Sequence, residues 1–486
     1  MISSLLTRSA LRTRNILGAS LVFAAVCFFP VRALTASQPI ATPPPKPFEL
    51  PPYKRVVFPN GLTVLLLEKH ELPLVSAQLT LRSGSVADPA GEAGTANLTA
   101  DLLRKGTTTR SADQISADMD FIGMQYRAPV SLDSSSFTAD FLKKDQATAL
   151  GIFADMLLHP SFPEDEFKKL LAQQQDSIHS SKDNPQAVIG LYYSRFLFGD
   201  TPYGHPAGGD EISLKAVTRD SILAFYKRNY TPGNAILAVA GDFDSAAMEA
   251  QLKQLFGEWK GAAPAPVELP VLKPVTGRRL LLIDKPDATQ TYFAIGNVGL
   301  NATNPDRASI QVINTLFGGR FTSLFNTELR IKSGYSYGAF SSFTELRSAG
   351  PFTMSTFTRN ATTEPAIDKS FEVLDRAHKQ GFTAEELTSA KNYIAGELPP
   401  QLETSVQLAA QMAHNELYGI SRQEFNQNLV NIQKTSPADA TRILSTYFPQ
   451  SDDTVMVVIG KAADIQKLLA KYTSNMTVKK ISDPGF

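Results

Sequence analysis

The chain repeats itself, and that repeat restricts the possible folds more than any other feature of its 486 residues. Phe162-Pro-Glu-Asp-Glu-Phe167 opens a helical pattern, and Phe382-Thr-Ala-Glu-Glu-Leu387 opens another 220 positions later. Ala235-Ile-Leu-Ala-Val-Ala-Gly241-Asp242 reads as a strand ending in glycine, and Thr454-Val-Met-Val-Val-Ile-Gly460-Lys461 repeats it at an offset of 219. Two independent matches at nearly one spacing imply a tandem duplication. Each half runs strands, helices, strand, helices, strand, which is an α+β pattern. The expected architecture is two similar α+β, sandwich-like domains with mixed sheets and helices packed on one face. Residues 54–260 are the first domain and 276–480 the second; residues 261–275, with prolines at 264, 266, 270 and 274, join them.

Local signals fill in the first half. Arg55 to Phe58 and Leu62 to Leu67 are apolar runs around Asn60-Gly61, the strongest short-range hairpin signal available. Ser76 to Leu81 alternates and is a third strand. A helix is expected from about Ala93 to Lys105, stopped by Gly106.

Composition excludes several classes. The 47 Lys and Arg balance 47 Asp and Glu, so no basic surplus points to a nucleic-acid partner. A chain that is 43% hydrophobic and 19% charged is neither mainly disordered nor collagen-like, and no succession of spanning segments marks a polytopic membrane protein. Cys27 is the only cysteine, which excludes an intramolecular disulfide and a thiol-ligated zinc site.

The amino terminus has its own character. The first 48 residues contain no Asp or Glu, and Arg8, Arg12 and Arg14 precede an apolar run from Ile16 to Phe29. That run is short for a spanning helix but suits the core of a secretory signal, so residues 1–36 are expected to direct export to the periplasm. An uncleaved anchor is the variant of this reading, and a mitochondrial presequence is the rival, disfavoured because transit peptides are amphipathic. Residues 37–53 follow as a proline-rich linker outside any core.

The segment from Gly91 to Thr107 carries the chemistry. It resembles the active-site helix of the pitrilysin, insulinase and mitochondrial-processing-peptidase family of zinc peptidases, which carry H-x-x-E-H there followed by an apolar stretch and Lys-Gly-Thr. In that motif two His four apart bind zinc from one helix face, and the Glu activates the bound water. Lys105-Gly106-Thr107 keeps the family's ending. The resemblance extends through Asp183-Asn184-Pro185, Thr201 to Pro206, Tyr230-Thr231-Pro232, Leu316 to Arg330 and Gly334-Tyr335-Ser336-Tyr337. It implies the family's duplicated fold.

The departures decide the functional expectation. In register, Asn97, Ala100 and Asp101 occupy the His, Glu and His positions. An amide is no substitute for an imidazole, and a methyl group cannot take a proton from water. The family's third ligand is a Glu from a downstream helix, yet no glutamate lies between Glu166 and Glu211; Gln173, Gln174, Gln175 and Asp176 stand there instead. This chain is therefore expected to bind no metal, and two weak oxygen ligands, Asn97 and Asp101, do not make a hard-cation site. Asp176, His179 and Asp183 share a helix face but read as a solvated helix end. His70, His159, His205, His378 and His414 form no H-x-x-H or H-x-x-E pair, and His205 is expected to order its loop. Gly318-Gly319 reads as a turn before a helix.

In the family a second-half Arg and Tyr, seven apart, face the zinc cleft and bind substrate backbone. Arg330 and Tyr337 keep that spacing, with Tyr335 a competing tyrosine on the same strand face. A guanidinium and a phenol suit a peptide carbonyl as negative charge develops on it. A lost metal site beside a retained substrate pair resembles the non-catalytic subunit of a heterodimeric peptidase. The expected partner is a homologous subunit that supplies zinc and base, with peptides as substrates. The alternative is a structural or binding protein of the same fold, which needs neither Arg330 nor Tyr337.

Overall fold

The computed structural model describes residues 48–486, so the expected signal segment and most of the first proline-rich stretch lie outside the described residues. Two six-stranded sheets carry the duplication. In the first half the strands are β1 (Lys54–Val57), β2 (Thr63–Glu68), β3 (Leu74–Leu81), β4 (Gln125–Arg127), β5 (Ser135–Leu142) and β6 (Ala235–Gly241). In the second they are β7 (Arg279–Asp284), β8 (Gln290–Val298), β9 (Ala339–Phe343), β10 (Pro351–Arg359), β11 (Val455–Gly460) and β12 (Met476–Lys480). The sheet orders are β1-β2-β6-β3-β5-β4 and β12-β7-β11-β8-β10-β9, which match position by position. Both sheets are mixed: β2 runs parallel to β6, and β7 to β11. They differ at one edge, where β1 folds back on β2 through the Asn60-Gly61 turn, whereas the late strand β12 arrives parallel to β7. Gly61 meets the turn's demand for positive φ, at +95°.

Side chains alternate along each strand, and here both faces are buried. In β2, Val64 and Leu66 join the main core of the first half, while Leu65 and Leu67 point the other way. That second face is covered by helix Ser405–Tyr418 of the second half, through Leu408, Ala409, Met412 and Ala413. The exchange is reciprocal: helix Pro185–Phe198 of the first half brings Val188, Ile189 and Tyr192 to Leu281, Ile283, Val457 and Ile459 of the second sheet. So helices of each half pack on one face of its sheet, as expected, and a helix of the other half covers part of the opposite face. Two-sided burial explains why β6 and β11 are unbroken apolar runs rather than alternating ones. At this seam the Tyr193 hydroxyl donates to the Phe352 carbonyl (3.0 Å). A Cβ at Gly296 would lie 1.9 Å from that carbonyl oxygen, so only glycine fits there.

A buried carboxylate ties the halves together. Asp133, in the loop before β5, is 0% exposed. It accepts hydrogen bonds from the Tyr203 hydroxyl (2.9 Å), the Arg347 amide (2.6 Å) and the Tyr418 hydroxyl (3.2 Å). Two of those three donors belong to the second half.

Two expectations need correction. The end of the first proline-rich stretch is not outside a core: Leu50 is fully buried beside Leu65, Leu67 and Met412. Its amide donates to Asn426 (3.0 Å) and its carbonyl accepts from Arg422 (2.6 Å), because an apolar residue among prolines finds an uncovered strip beside the exchanged helix. Gly318-Gly319 ends a π-helical turn, Thr315–Gly319, instead of a simple turn, and a Cβ on Gly318 would come within 2.3 Å of Ser341 in β9. The segment between the halves has neither helix nor strand, yet Val267, Leu269, Leu272 and Val275 pack against the first core.

Candidate functional site

Helix Thr95–Leu102 is where the family's metal motif would stand. Its start is built by Asp88, whose carboxylate accepts from the amides of Gly94 (2.8 Å) and Ala96 (2.7 Å), two of the donors a helix amino terminus leaves free. Burial pushes the Asp88 carboxyl up to about 7, against the pull of those amides and of Arg228. Gly94 enters the helix at φ +101°, where a Cβ would strike Leu214 at 2.7 Å. The helix closes in a tight turn, Leu103–Lys105, and Gly106 at φ +141° ends it.

Ala96, Leu98, Ala100 and Leu102 are buried, which leaves Asn97 and Asp101 together on the remaining face. Being four apart they are neighbours, and the Asn97 amide donates to the Asp101 carboxylate at 3.1 Å. Ala100 is 0% exposed and presents only a methyl group. Burial raises the Asp101 carboxyl above its ordinary range, opposed by Arg104 and Lys105. Near Asp101 stand Tyr126 of the edge strand β4 and Tyr230, whose buried hydroxyls have no hydrogen-bond partner among the described residues. Burial, then the Asp101 charge, push the Tyr126 phenol well above its usual range, so it stays protonated.

These residues do not fit zinc. Asn97 and Asp101 are spent on each other, and helix Glu164–Ser181, packed alongside, offers glutamines where the family places a Glu. Gln174 is used structurally, donating to the Gly208 carbonyl (3.0 Å). Among the described residues no group of three or more His, Cys, Asp and Glu is placed to hold a metal ion. Asp176, His179 and Asp183 lie exposed at the helix end. The loop of His205 is held by Tyr203 on Asp133 and by Gln174 on Gly208, and the His205 side chain makes no hydrogen bond among the described residues.

Arg330 and Tyr337 sit in the second half, on elements other than the helix of the Asn97–Asp101 pair. Arg330 lies in a π-helical turn, Thr327–Lys332, a geometry found often at functional sites. Its guanidinium carbon is 4.7 Å from the centre of the Phe321 ring. The nearby Glu328 is taken by Lys332 and Arg376 (2.8 Å each), which leaves Arg330 outside the ion pairs of the described residues. Tyr337 is 78% exposed and leans on Phe357, with ring centres 6.4 Å apart. Tyr335 does not share its face. The segment is not a strand, because Ser336 is pinned by Thr356 (2.6 Å) and Gly338; Tyr335 is turned against the second core while Tyr337 projects to solvent.

Sequence reasoning missed Asp88 and Tyr126, and took Tyr230 only as part of the family string, without a place near Asp101. A carboxylate six residues before a glycine-led helix is a capping signal that could have exposed Asp88; Tyr126 gave none.

Comparison with known proteins bears on the family. A family model described as insulinase (peptidase family M16) matches residues 63–211, and one described as the peptidase M16 inactive domain matches residues 216–394. An uncharacterized zinc protease of Mycobacterium leprae is 27% identical over 75% of this chain and 82% of its own length. One of Rickettsia felis is 26% identical over 88% of this chain and 96% of its own. Among solved structures, a peptidase M16 inactive domain from Pseudomonas fluorescens superposes with a TM-score of 0.79 at 24% identity, over 84% of this chain and 98% of that one. A protease from Helicobacter pylori gives 0.77 at 20% identity, over 84% of this chain and all of that one. With both halves matched in order and the fold shared, this chain belongs to the insulinase family of peptidases, family M16.

Proposed function

We propose that this chain is the non-catalytic, substrate-binding subunit of a heterodimeric zinc metallopeptidase that degrades or processes peptides. A homologous partner supplies metal and base, and this chain supplies Arg330 and Tyr337 to a shared chamber. The observation that carries the reading is a contrast within one molecule. The residues at the metal motif are closed upon themselves, while Arg330 and Tyr337 hold polar groups without partners among the described residues, beside aromatic supports. A planar guanidinium fork and a phenol can grip a peptide carbonyl and stabilise charge on its oxygen. The amino-terminal pattern supports export to the periplasm; an intact Met1 on protein isolated from its host would remove that part.

The test is made on the assembled pair, purified by co-expression with an H-x-x-E-H homologue of similar length. Arg330→Ala and Tyr337→Phe should each lower peptide turnover by about 10²-fold or more, the usual effect of losing a positioned oxyanion donor, without preventing assembly. Arg330→Lys should rescue little, and Tyr335→Phe should leave turnover unchanged. Turnover within a few-fold of wild type in Arg330→Ala would make the chain a scaffold instead.

A further inference from the structure

A cavity of about 650 Å³ opens where the first half, the inter-half segment and the second half meet, and neither Arg330 nor Tyr337 lines it. Three guanidiniums line it: Arg82 and Arg228 from the first half and Arg347 from the second. Each is fixed along part of its edge by backbone carbonyls. Arg228 donates to Ala87, Arg82 to Glu416 (3.0 Å) and Leu417 (3.3 Å), and Arg347 to Arg82 (3.0 Å) and Asp133 (3.2 Å). A guanidinium has five N–H donors, so each retains donors beyond those anchors.

The charges on this wall are only partly balanced from within. Arg82 has Glu416 at 3.5 Å, but that carboxylate also holds Arg55 at 2.8 Å. Arg228 and Arg347 have no ion-pair partner among the described residues. The one carboxylate in the lining, Asp88, stands near Arg228, but burial pushes its carboxyl up to about 7, so it offsets that charge only in part. Burial, then the neighbouring Arg347 and Arg55, pull the Arg82 guanidinium below its usual range despite Glu416. Like charges held together over a cavity are a standing cost that an anion would relieve. Apart from Ser83, Asn229 and Asn234, the rest of the wall is apolar, from Val86, Val267 and Leu417 with the prolines of the inter-half segment.

We propose that this cavity is a binding site for a small organic anion, a carboxylate or phosphate head carried on an apolar body. The head takes the free edges of Arg228 and Arg347, whose planar forks match a two-oxygen group, and the body lies along the proline-lined wall. The volume exceeds what an inorganic ion needs and falls in the range of small-molecule sites. Because the wall is assembled from both halves and the segment between them, a bound anion also clamps the halves together. This site stands independently of the peptidase-subunit reading.

Calorimetric titration of the purified chain tests it with three probes: N-acetyl-leucyl-leucine as the free acid, the same dipeptide as its amide, and inorganic phosphate. The acid should bind, the amide should bind at least about tenfold more weakly, and added salt should weaken the acid. Acid binding tighter than phosphate assigns the site to carboxylates on apolar bodies, and the reverse order assigns it to phosphates. Arg228→Gln keeps an amide donor for Ala87 and removes one charge, so it should lose about tenfold or more in affinity while its melting temperature holds. If neither acid nor phosphate binds at millimolar concentration, or if Arg228→Gln binds as wild type does, the proposal is overturned.

Discussion

Replacing Asp133 by alanine should uncouple the two halves. The carboxylate is 0% exposed and satisfies three donors, Tyr203, the Arg347 amide and Tyr418, all within 3.2 Å. Burial holds both phenols well above their usual pKa range, so they remain donors across the accessible pH range. A hydrogen bond to a charged group contributes about 1.5–3 kcal/mol, and a buried donor left without an acceptor costs about 1–3 kcal/mol. These terms are not additive in one network, so Asp133→Ala should destabilise by about 4 kcal/mol, a large share of a typical stability of about 5–15 kcal/mol. The assay is urea unfolding followed by two probes. Trp259 is the only tryptophan and belongs to the first half, where its indole N–H donates to the Tyr230 carbonyl (3.1 Å), so its fluorescence reports on that half. Far-ultraviolet circular dichroism reports on both. In the wild type the two transitions should coincide; in Asp133→Ala they should separate, the less stable half unfolding first. A variant that unfolds within about 1 kcal/mol of wild type with coincident probes would show that the apolar helix exchange alone joins the halves.

Stability should also respond to pH through Asp88. Its folded pKa of about 7 lies above the value near 3.9 for an unfolded aspartate, so the folded state holds the extra proton between those limits. Its contribution is therefore present at low pH and lost as pH rises through 7, with Arg228, Glu92 and the Gly94 and Ala96 amides facing the group. Relative to Asp88→Asn, the wild type should gain stability as pH falls below 7, approaching about 1.4 kcal/mol per pH unit between about pH 6 and 4; a flat difference would refute the assignment. Rebuilding the motif as Asn97→His, Ala100→Glu and Asp101→His should give at most weak zinc binding, because the third ligand is still missing. Stoichiometric zinc retained through dialysis and lost on chelation, measured by elemental analysis, would place that ligand on helix Glu164–Ser181.

Much of this molecule was legible from residue order alone. Asn60-Gly61 specified its hairpin, and the offset between Ala235–Gly241 and Val455–Gly460 specified two equivalent central strands, because turn chemistry and apolar runs act over a few residues. Asn97, Ala100 and Asp101 already differ from the family's His, Glu and His in the sequence, since no fold turns an amide or a methyl into an imidazole or a base. What lay beyond the sequence depends on contacts between distant segments. Nothing near Leu65 and Leu67 says that helix Ser405–Tyr418 of the other half covers them, and nothing near Asp133 says that Tyr418 and Arg347 reach it. Likewise Tyr335 and Tyr337 are equivalent in any local reading, and only the bonds of Ser336 to Thr356 and Gly338 turn one inward and the other out. Tertiary structure decided these points because burial and hydrogen bonding are settled by whichever surface arrives, and chain position does not encode that arrival.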